Sequence, residues 1–431
     1  MSLRQIAAWV LFAGFAFGPV KAAQHTVDLT VQPTIAPELV PSQTPGDFLL
    51  AVGTASGVYG YPIVDGVPQP SRSLLPILWR GGFASAQLSP TAGGGMLLSF
   101  AQTVVRGAPF AAQTVWARPL DGSLAGPDPR LVNSSSGWAV DDPPAEMDLL
   151  TGSGSVSCCT LLAASYPRIG TLTLEVMNAR GEALVRRELR VDGSADLRVR
   201  RPTLAYQPDA GFFVVAYETR RDIRVRRVYV TPQAGGGADF KWIGADEVVA
   251  LKTQPARYED LVDGHPQIAY SSELQQFLVT WLDHVGSSGE ARRVMARTLS
   301  RAGSPSGASF AVQSSCPPTS WSCALLRPAV DGAPQVLATP GGFHVSFPAR
   351  AWTTSAPLWG VLGYRLTPSG SGFSMSWRWL TARTEARISA LRTAFDPRSG
   401  IAAAAWLATT TDVGEDITIA NTSLLIGDFL P

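Results

Sequence analysis

The sequence predicts an all-β protein, a β-propeller with seven blades of three to four antiparallel strands in a closed ring. Short apolar runs recur at intervals of roughly fifty to sixty-six residues, close to the spacing of kelch-type blades. The 41 Gly and 33 Pro residues are scattered, which indicates many turns between short elements. The same strand–turn–strand plan continues to the C-terminal repeat. Six or eight blades remain alternatives because three repeats are degenerate, and a two-sheet sandwich is the structural competitor.

The best-preserved repeat unit covers residues 201–230. It contains three predicted strands at residues 203–206, 212–217 and 223–230, separated by the turns QPDAG and ETRRD. The middle run, FFVVAY, is apolar at every position, so both of its faces must be covered. Radial stacking of such sheets buries each face against a neighbour, which a single sheet cannot achieve alone. We therefore assign residues 48–431 to the propeller.

The chain begins with the pattern of a signal peptide at residues 1–22. Arg4 precedes an apolar stretch at 6–17, and small residues at Val20 and Ala22 favour cleavage after Ala22. We expect a secreted, periplasmic or cell-surface protein with no membrane span, because no later apolar stretch is long enough. Residues 23–47 then form an N-terminal segment. Its alternating run at 25–32 is the candidate strand that completes the last blade and closes the ring.

Charge gives little guidance about partners. The formal net charge is +1, which argues against binding nucleic acid. Arginines concentrate at residues 180–227, and Arg224, Arg226 and Arg227 form a candidate basic binding strand. The alternative is that these guanidiniums are solvated and paired with acids on neighbouring strands.

The four cysteines fit an oxidising compartment. Cys316 and Cys323 bracket a polar, Pro-containing loop and form a candidate disulfide. Cys158 and Cys159 are adjacent in an apparent strand, where we expect two buried thiols; all three pairings remain open from sequence alone. Neither spacing matches a zinc site, so we expect no metal and no cofactor.

The blade resembles a repeat of exported bacterial β-propeller proteins with the order P-x-V-A-Y, L-V-V-W and D-I-x-x-R. Residues 202–206, 214–217 and 222–228 match these three motifs in order, as do residues 266–270 and 278–281 in the next repeat. The resemblance covers about a hundred residues and implies a fold rather than an activity. It also implies a bacterial exported or cell-surface protein.

Motifs that would define an enzyme are absent from the sequence: it has no G-x-S-x-G elbow, P-loop, H-E-x-x-H or EF-hand loop. Acidic residues near blade starts are candidates for the central channel, where paired carboxyls would suit glycoside hydrolysis. These are Asp141, Asp142, Asp263 and Asp331. Turn formation is the alternative, since Asp263 and Asp331 each precede Gly.

Two further groups of residues have both a functional and a structural interpretation. His265, His284 and His344 are candidates for a channel site, although His344 lies in an apolar run and is better explained as a structural histidine. Four tryptophans of the sixth repeat are candidates for stacking on sugars, although packing between blades also explains them. They are Trp352, Trp359, Trp377 and Trp379.

The leading hypothesis from sequence is an exported non-catalytic propeller scaffold that binds a protein or surface glycan through one face or its rim loops. The alternative is a propeller-type glycoside hydrolase or polysaccharide lyase with acidic residues at the central channel. We assign no catalytic residue at this stage, and enzyme activity stays open. The hypotheses differ at the axis, where an enzyme requires two carboxylates, or a His–carboxylate pair, at one channel mouth.

Overall fold

A computed structural model describes most of the chain. The described residues are 23–27, 36–54, 57–75, 83–91, 94–107, 110–139, 145–153, 156, 159–166, 171–190, 199–252, 264–285, 291–313, 329–352, 357–380, 387–411 and 418–427. These ranges contain strands and turns and no α-helix, and thus no helix able to cross a membrane. The signal-peptide prediction, residues 1–22, lies outside them.

Thirty strands occur in the described ranges. The first ten are β1 (Ala23–Val27), β2 (Glu38–Pro41), β3 (Phe48–Thr54), β4 (Gly57–Val64), β5 (Val67–Pro68), β6 (Arg72–Ser73), β7 (Phe83–Pro90), β8 (Met96–Gly107), β9 (Phe110–Leu120) and β10 (Arg130–Ala139). The next ten are β11 (Glu146–Thr151), β12 (Cys159–Tyr166), β13 (Thr171–Asn178), β14 (Ala183–Arg190), β15 (Arg200–Gln207), β16 (Phe212–Glu218), β17 (Asp222–Pro232), β18 (Ala238–Leu251), β19 (Gln267–Ser271) and β20 (Gln276–Val285). The last ten are β21 (Ala291–Leu299), β22 (Pro305–Gln313), β23 (Ala329–Val330), β24 (Gln335–Thr339), β25 (Gly342–Trp352), β26 (Pro357–Ser369), β27 (Gly372–Trp379), β28 (Arg387–Asp396), β29 (Ile401–Thr411) and β30 (Thr418–Gly427).

These strands form seven antiparallel sheets, which we number as blades in chain order. Six blades use consecutive strands: blade 1 is β2–β6, blade 2 is β7–β10, blade 3 is β11–β14, blade 4 is β15–β18, blade 5 is β19–β22 and blade 6 is β23–β27. Blade 7 is composite, because β1 pairs with β30 beside β29 and β28. Sequence placed this N-terminal strand at residues 25–32, whereas the described strand is Ala23–Val27.

One strand of each blade lies at the inner edge of the ring. Contacts between these inner strands run in cyclic order through β2, β7, β11, β15, β19, β24 and β28 and return to β2. The backbone ladders of the described strands stay within each blade, so neighbouring blades meet through side chains. The β-propeller predicted from sequence is confirmed.

The core is divided among the spaces between blades. Seven apolar clusters occur in the described part, and each joins one pair of neighbouring blades. Val215 of β16 packs with blade 3, whereas the adjacent Val214 packs with blade 5. Neighbouring strand residues point to opposite faces, so a strand covered on both sides is apolar at every position. This burial explains the FFVVAY run.

Candidate functional site

The strand register places seven equivalent residues at one level around the central channel. In each blade a residue of the inner strand faces a small residue in the middle of the second strand. The seven pairs are Glu38–Ala51, Gln87–Ser99, Asp148–Ala163, Thr203–Ala216, Gln267–Thr280, Gln335–Ser346 and Arg392–Ala405. We call the seven inner-strand residues the channel layer. All of them are polar, and Glu38, Asp148 and Arg392 are ionisable.

Glu38 and Arg392 form an ion pair within this layer. Arg392 Nε lies 3.2 Å from Glu38 Oε2, and the Glu38 side chain is 13% exposed. Burial raises the pKa of the Glu38 carboxyl to about 7, although Arg392 opposes the rise; the nearby charge of Asp148 adds to it. Glu38 therefore holds its proton up to near-neutral pH.

Asp148 is the second carboxyl of the channel layer. Its Oδ2 accepts a hydrogen bond from the backbone N–H of Leu204 at 2.6 Å, and its Oδ1 accepts one from the N–H of Leu149 at 2.9 Å. Burial raises the pKa of Asp148, while these two backbone donors and Arg392 counteract the rise. Since Arg392 acts on both carboxyls and Asp148 acts on Glu38, the three groups share one electrostatic environment.

A second charged group lies at the end of the channel where the chain enters each inner strand. Glu146 Oε1 pairs with Arg200 Nη2 at 3.0 Å, and its Oε2 accepts a hydrogen bond from the Arg201 backbone N–H at 2.8 Å. Arg201 Nη1 in turn lies 3.4 Å from Oε1 of Glu218, a buried carboxyl. Blades 3 and 4 are thus joined by ion pairs at this end.

Glu218 extends the same network into blade 5. Its Oε2 accepts hydrogen bonds from Lys252 Nζ at 3.1 Å and from the Gly264 backbone N–H at 2.6 Å. A side chain at Gly264 would place a Cβ 2.8 Å from that same Glu218 oxygen. A larger residue here must displace this carboxylate, because it approaches the backbone closely. This bond positions His265, the next residue.

His265 and Arg201 occupy equivalent positions. Each lies two places before its channel-layer residue, Gln267 or Thr203, and each precedes a proline. Both have left-handed backbones, with φ of +43° at His265 and +51° at Arg201. Such conformations are costly for residues other than glycine and are common at functional sites. We call this end of the channel, with Glu146, Arg201 and His265, the mouth.

The mouth places His265 in a positive field. Burial lowers the pKa of His265 well below its ordinary value, and the charges of Arg201, Arg200, Arg392 and Arg292 add to this effect. His265 is therefore neutral at physiological pH, and a neutral imidazole can both donate and accept a hydrogen bond.

This arrangement has the components of acid–base catalysis. A carboxyl that is protonated near pH 7 can donate a proton, and a nearby carboxylate can act as base or stabilise positive charge. Besides Arg392, the other channel-layer side chains are three amides and a hydroxyl; Gln87, Thr203 and Gln335 are buried, whereas Gln267 is partly exposed and can hydrogen-bond to a sugar hydroxyl. Within the described ranges no group of three or more His, Cys, Asp or Glu side chains is arranged to hold a metal.

The channel acids differ from those named in the sequence analysis. Asp331 is described, but it serves a local role: its Oδ2 accepts a hydrogen bond from Trp359 Nε1 at 2.8 Å and pairs with Arg387 at 3.3 Å. Asp141, Asp142 and Asp263 lie outside the described residues.

Each arginine of the candidate basic strand has an acidic partner. Arg224 makes two 2.9 Å hydrogen bonds to Asp222, Arg226 pairs with Asp246 at 3.2 Å, and Arg227 pairs with Glu247 at 2.9 Å. The Arg226 and Arg227 pairs join β17 to β18 and agree with the cross-strand alternative, whereas the Arg224–Asp222 pair lies within β17. An anion-binding role for this strand stays a prediction. A cleft of about 340 Å³ lies beside it, lined by Arg227 and six further residues: Ala210, Phe212, Tyr229, Ile243, Arg301 and Ala302.

The remaining candidates are placed as follows. His344 is buried in β25, where burial lowers its pKa to about 4, with the charges of Arg378 and Arg365 as smaller causes. Trp377 is 50% exposed on the outer strand β27. Cys159 is buried in β12. Cys316, Cys323 and Cys158 lie outside the described residues, as do the side chains of His284 and Trp352.

Sequence reasoning missed Glu38, Asp148, Glu146 and Arg392, although it named His265. A usable signal was present in the x-Pro-polar tripeptides that lead into four inner strands. These are Ala36-Pro37-Glu38, Arg201-Pro202-Thr203, His265-Pro266-Gln267 and Ala333-Pro334-Gln335. Aligning them would have placed Glu38 at the level of the channel.

Fold and site together define a β-propeller with two carboxyl groups in its channel layer and a charged mouth. No protein-family model matches the chain, and no curated protein matches it. Among solved structures, it is similar to the GH93 α-L-arabinofuranosidase of Fusarium graminearum in complex with arabinobiose (11% identity, TM-score 0.48, covering 94% of this chain and 98% of that one). It is also similar to the intramolecular trans-sialidase of Ruminococcus gnavus in complex with oseltamivir carboxylate (9% identity, TM-score 0.43, covering 93% and 94%). A third similar structure is the Dos1 propeller (8% identity, TM-score 0.40, covering 96% of each chain).

Proposed function

We propose that this protein is a carbohydrate-active β-propeller that hydrolyses a glycosidic bond in its central channel. The observation that carries the proposal is the convergence of Glu38 and Asp148 on one electrostatic environment with Arg392. Glycoside hydrolysis requires a carboxylic acid that is still protonated at working pH and a second carboxyl close to it. This function was the alternative in the sequence analysis.

The two carboxyls have distinct roles in this proposal. Glu38 donates a proton to the leaving oxygen, because its raised pKa of about 7 keeps it protonated. Asp148 is held by two backbone N–H groups, which fix its orientation and oppose the rise in its pKa that burial causes. It faces the sugar as a base or as a stabiliser of the positive charge that develops in the transition state.

Reducing-sugar release from a panel of plant, bacterial and animal polysaccharides tests the proposal. We expect wild type to cleave at least one member and Glu38→Gln or Asp148→Asn to lower kcat by at least about a hundredfold. Glu188→Gln is the matched control, since Glu188 lies on β14 with its side chain 44% exposed. If no member is cleaved, or if both channel variants retain wild-type kcat, the hydrolase proposal fails.

A non-catalytic glycan-binding scaffold is the second candidate. It is favoured by the pairing of Glu38 with Arg392 and of Asp148 with backbone N–H groups, because paired carboxyls also occur in purely structural networks. Calorimetric titration with the same polysaccharides separates the candidates. A scaffold binds one of them without releasing reducing ends, whereas a hydrolase does both.

We also propose that the protein is exported, on the basis of the signal-peptide pattern at residues 1–22. N-terminal sequencing of protein recovered from the secreting host tests this. A chain that begins at Ala23 and is found outside the cytoplasm supports export. A chain that stays in the cell with residues 1–22 still attached contradicts it.

A further inference from the structure

The side chains around the mouth of the channel are distributed asymmetrically. The residue two places before the channel layer is large and polar in three consecutive blades, where it is Glu146, Arg201 or His265. In the other four blades the equivalent residue is small: Ala36, Ser85, Ala333 and Ala390. One side of the mouth therefore carries charged and imidazole groups, while the opposite side has short side chains at the equivalent positions of the described residues.

Among the residues of the mouth, positive φ occurs at Arg201 and His265. Both are held by hydrogen bonds from neighbouring blades. Glu146 of blade 3 binds the Arg201 N–H, and Glu218 of blade 4 binds the N–H that precedes His265. A conformation of this cost persists only where surrounding contacts enforce it. In both cases a carboxylate of the preceding blade fixes the backbone at the positive-φ residue or at the residue before it.

Cationic charge is in excess around these two residues. The network holds five cationic side chains and four carboxyl groups, and one of the carboxyls, Glu38, keeps its proton up to about pH 7. The cations are Arg200, Arg201, Lys252, Arg292 and Arg392, and the carboxyl groups are Glu38, Glu146, Asp148 and Glu218. His265 lies among four of these arginines and is neutral, so the field at its ring is positive and attracts an anion.

We propose that the mouth recognises a carboxylate-bearing sugar residue, with Arg201 and His265 as the groups that contact the carboxylate. This rests on the proposed function and gives it a substrate class, an acidic glycan. Arg201 lies 3.6 Å from Glu146 Oε1 through Nε and 3.4 Å from Glu218 Oε1 through Nη1, and its side chain is 17% exposed. An arginine has five N–H donors in a planar fork, so one guanidinium can donate to these two acids and to a ligand carboxylate together.

Matched pairs of oligosaccharides test the proposal. The probes are short oligosaccharides of polygalacturonate, alginate, hyaluronan and α2,8-linked sialic acid. Each is paired with its carboxyl-reduced counterpart, which has an alcohol in place of the acid. Binding is measured by calorimetry on the full chain with Glu38→Gln, so that cleavage does not consume the probe. We expect at least one acidic probe to bind tenfold or more tightly than its reduced form.

Variants then assign the preference to the mouth. Arg201→Gln and His265→Asn should each lower the acid-to-alcohol affinity ratio below threefold while binding of the reduced probe is unchanged. Asn is suited to the position because it tolerates positive φ. Arg301→Gln is the control, an exposed arginine on the outside of the ring that should leave the ratio unchanged. If Arg201→Gln does not fold, His265→Asn decides alone.

Two results would overturn the inference: equal binding of the acidic and reduced forms, or no binding of any acidic probe. The hydrolase proposal fails independently of this one. Loss of cleavage with a retained acid preference refutes only hydrolysis, whereas cleavage of neutral glycans with no acid preference refutes only the recognition of a carboxylate.

Discussion

Glu38 of blade 1 and Arg392 of blade 7 form an ion pair, 3.2 Å from Oε2 to Nε, that joins the first inner strand of the propeller to the last. The pair lies at the level of the channel layer, and Asp148 of blade 3 acts electrostatically on Glu38 and is acted on by Arg392. Ring geometry therefore brings together residues 354 positions apart in the chain. The contact is a structural link between blades and also part of the candidate active site.

Replacing Glu38 with Gln should change how stability depends on pH. Burial raises the pKa of Glu38 to about 7 in the folded chain, from an ordinary value of 4.5. Between these values the unfolded chain loses this proton and the folded chain keeps it, so the Glu38 contribution to stability falls as pH rises. Glu38→Gln removes the penalty. We expect its unfolding free energy, relative to wild type, to rise by up to about 3 kcal/mol from pH 4.5 to 7.

Urea unfolding of both proteins at half-unit pH steps measures this difference. Glu188→Gln, an exposed surface change, serves as the control and should follow wild type throughout. A Glu38→Gln difference that is constant across the range would contradict the raised pKa.

Arg392 should contribute much less to the free energy of unfolding once Glu38 is replaced by a neutral residue. Arg392→Met leaves the Glu38 carboxyl in a buried site without its cation, which we expect to cost about 3 kcal/mol at pH 8. In the Glu38→Gln background the same change should cost less than about 1 kcal/mol, because no buried charge is left unpaired. A double-mutant cycle by chemical unfolding measures the coupling. If the losses of unfolding free energy in the two single variants add up to the loss in the double variant, the two side chains do not interact.

The propeller fold was predictable because its cause is local in sequence. A strand such as Phe212–Glu218 is covered on both faces, and this burial makes it continuously apolar. The composite blade was partly predictable, since β1 alternates like a strand, but nothing local shows that its partner is β30. Pairing between chain ends depends on the closure of the ring.

The channel site was not predictable in the same way. Glu38 and Asp148 each stand alone in the sequence as one polar residue entering a short strand. The ring places both at the level of the channel layer, and burial raises the pKa of each carboxyl, which no pattern of neighbouring residues reports. Asp331 had a similar sequence context, yet it lies beside Trp359. An alignment of the inner strands blade by blade distinguishes Glu38 and Asp148, which lie in the channel layer, from Asp331, which does not.

Gly264 should be sensitive to the smallest substitution. A Cβ at this position would lie 2.8 Å from Glu218 Oε2 and 2.8 Å from Ile223 Cδ1. Gly264→Ala must therefore displace the carboxylate that also holds Arg201 and Lys252, and we expect a loss of about 2 kcal/mol. Gly372→Ala is a matched control, because its Cβ would meet no atom within 4 Å. Thermal unfolding of the two variants checks this, and similar melting temperatures would refute the close approach.

His265→Asn should reduce the loss of stability that the protein undergoes as the pH falls. The pKa of His265 is lowered by burial and by Arg201, Arg200, Arg392 and Arg292, so the folded chain keeps it neutral below pH 6.5. The unfolded chain takes up a proton there, and stability contributed by the neutral ring is lost as pH falls below 6.5. Asn cannot titrate and tolerates the +43° backbone. We expect the variant to lose less stability than wild type between pH 7 and 5 in urea unfolding. Parallel curves would contradict a lowered pKa.

Glu175 is a buried carboxyl outside the channel, and its removal should stabilise the fold. Its side chain lies on β13, 2% exposed, and neither oxygen meets a hydrogen-bond donor within the described part of the chain. Arg186 Nε approaches only to 3.6 Å, and burial raises the pKa of Glu175 to about 7 despite that charge. Above pH 7 the folded chain must bury an ionised carboxylate, whereas the unfolded chain exposes it to water. Glu175→Met keeps a similar volume, so we expect the free energy of unfolding to rise by about 2 kcal/mol at pH 8, with a smaller rise toward pH 4.5.

Urea unfolding at both pH values measures this difference, with Glu188→Met as the exposed control on the neighbouring strand. A loss of stability at pH 8 would instead show that the carboxylate has a favourable partner.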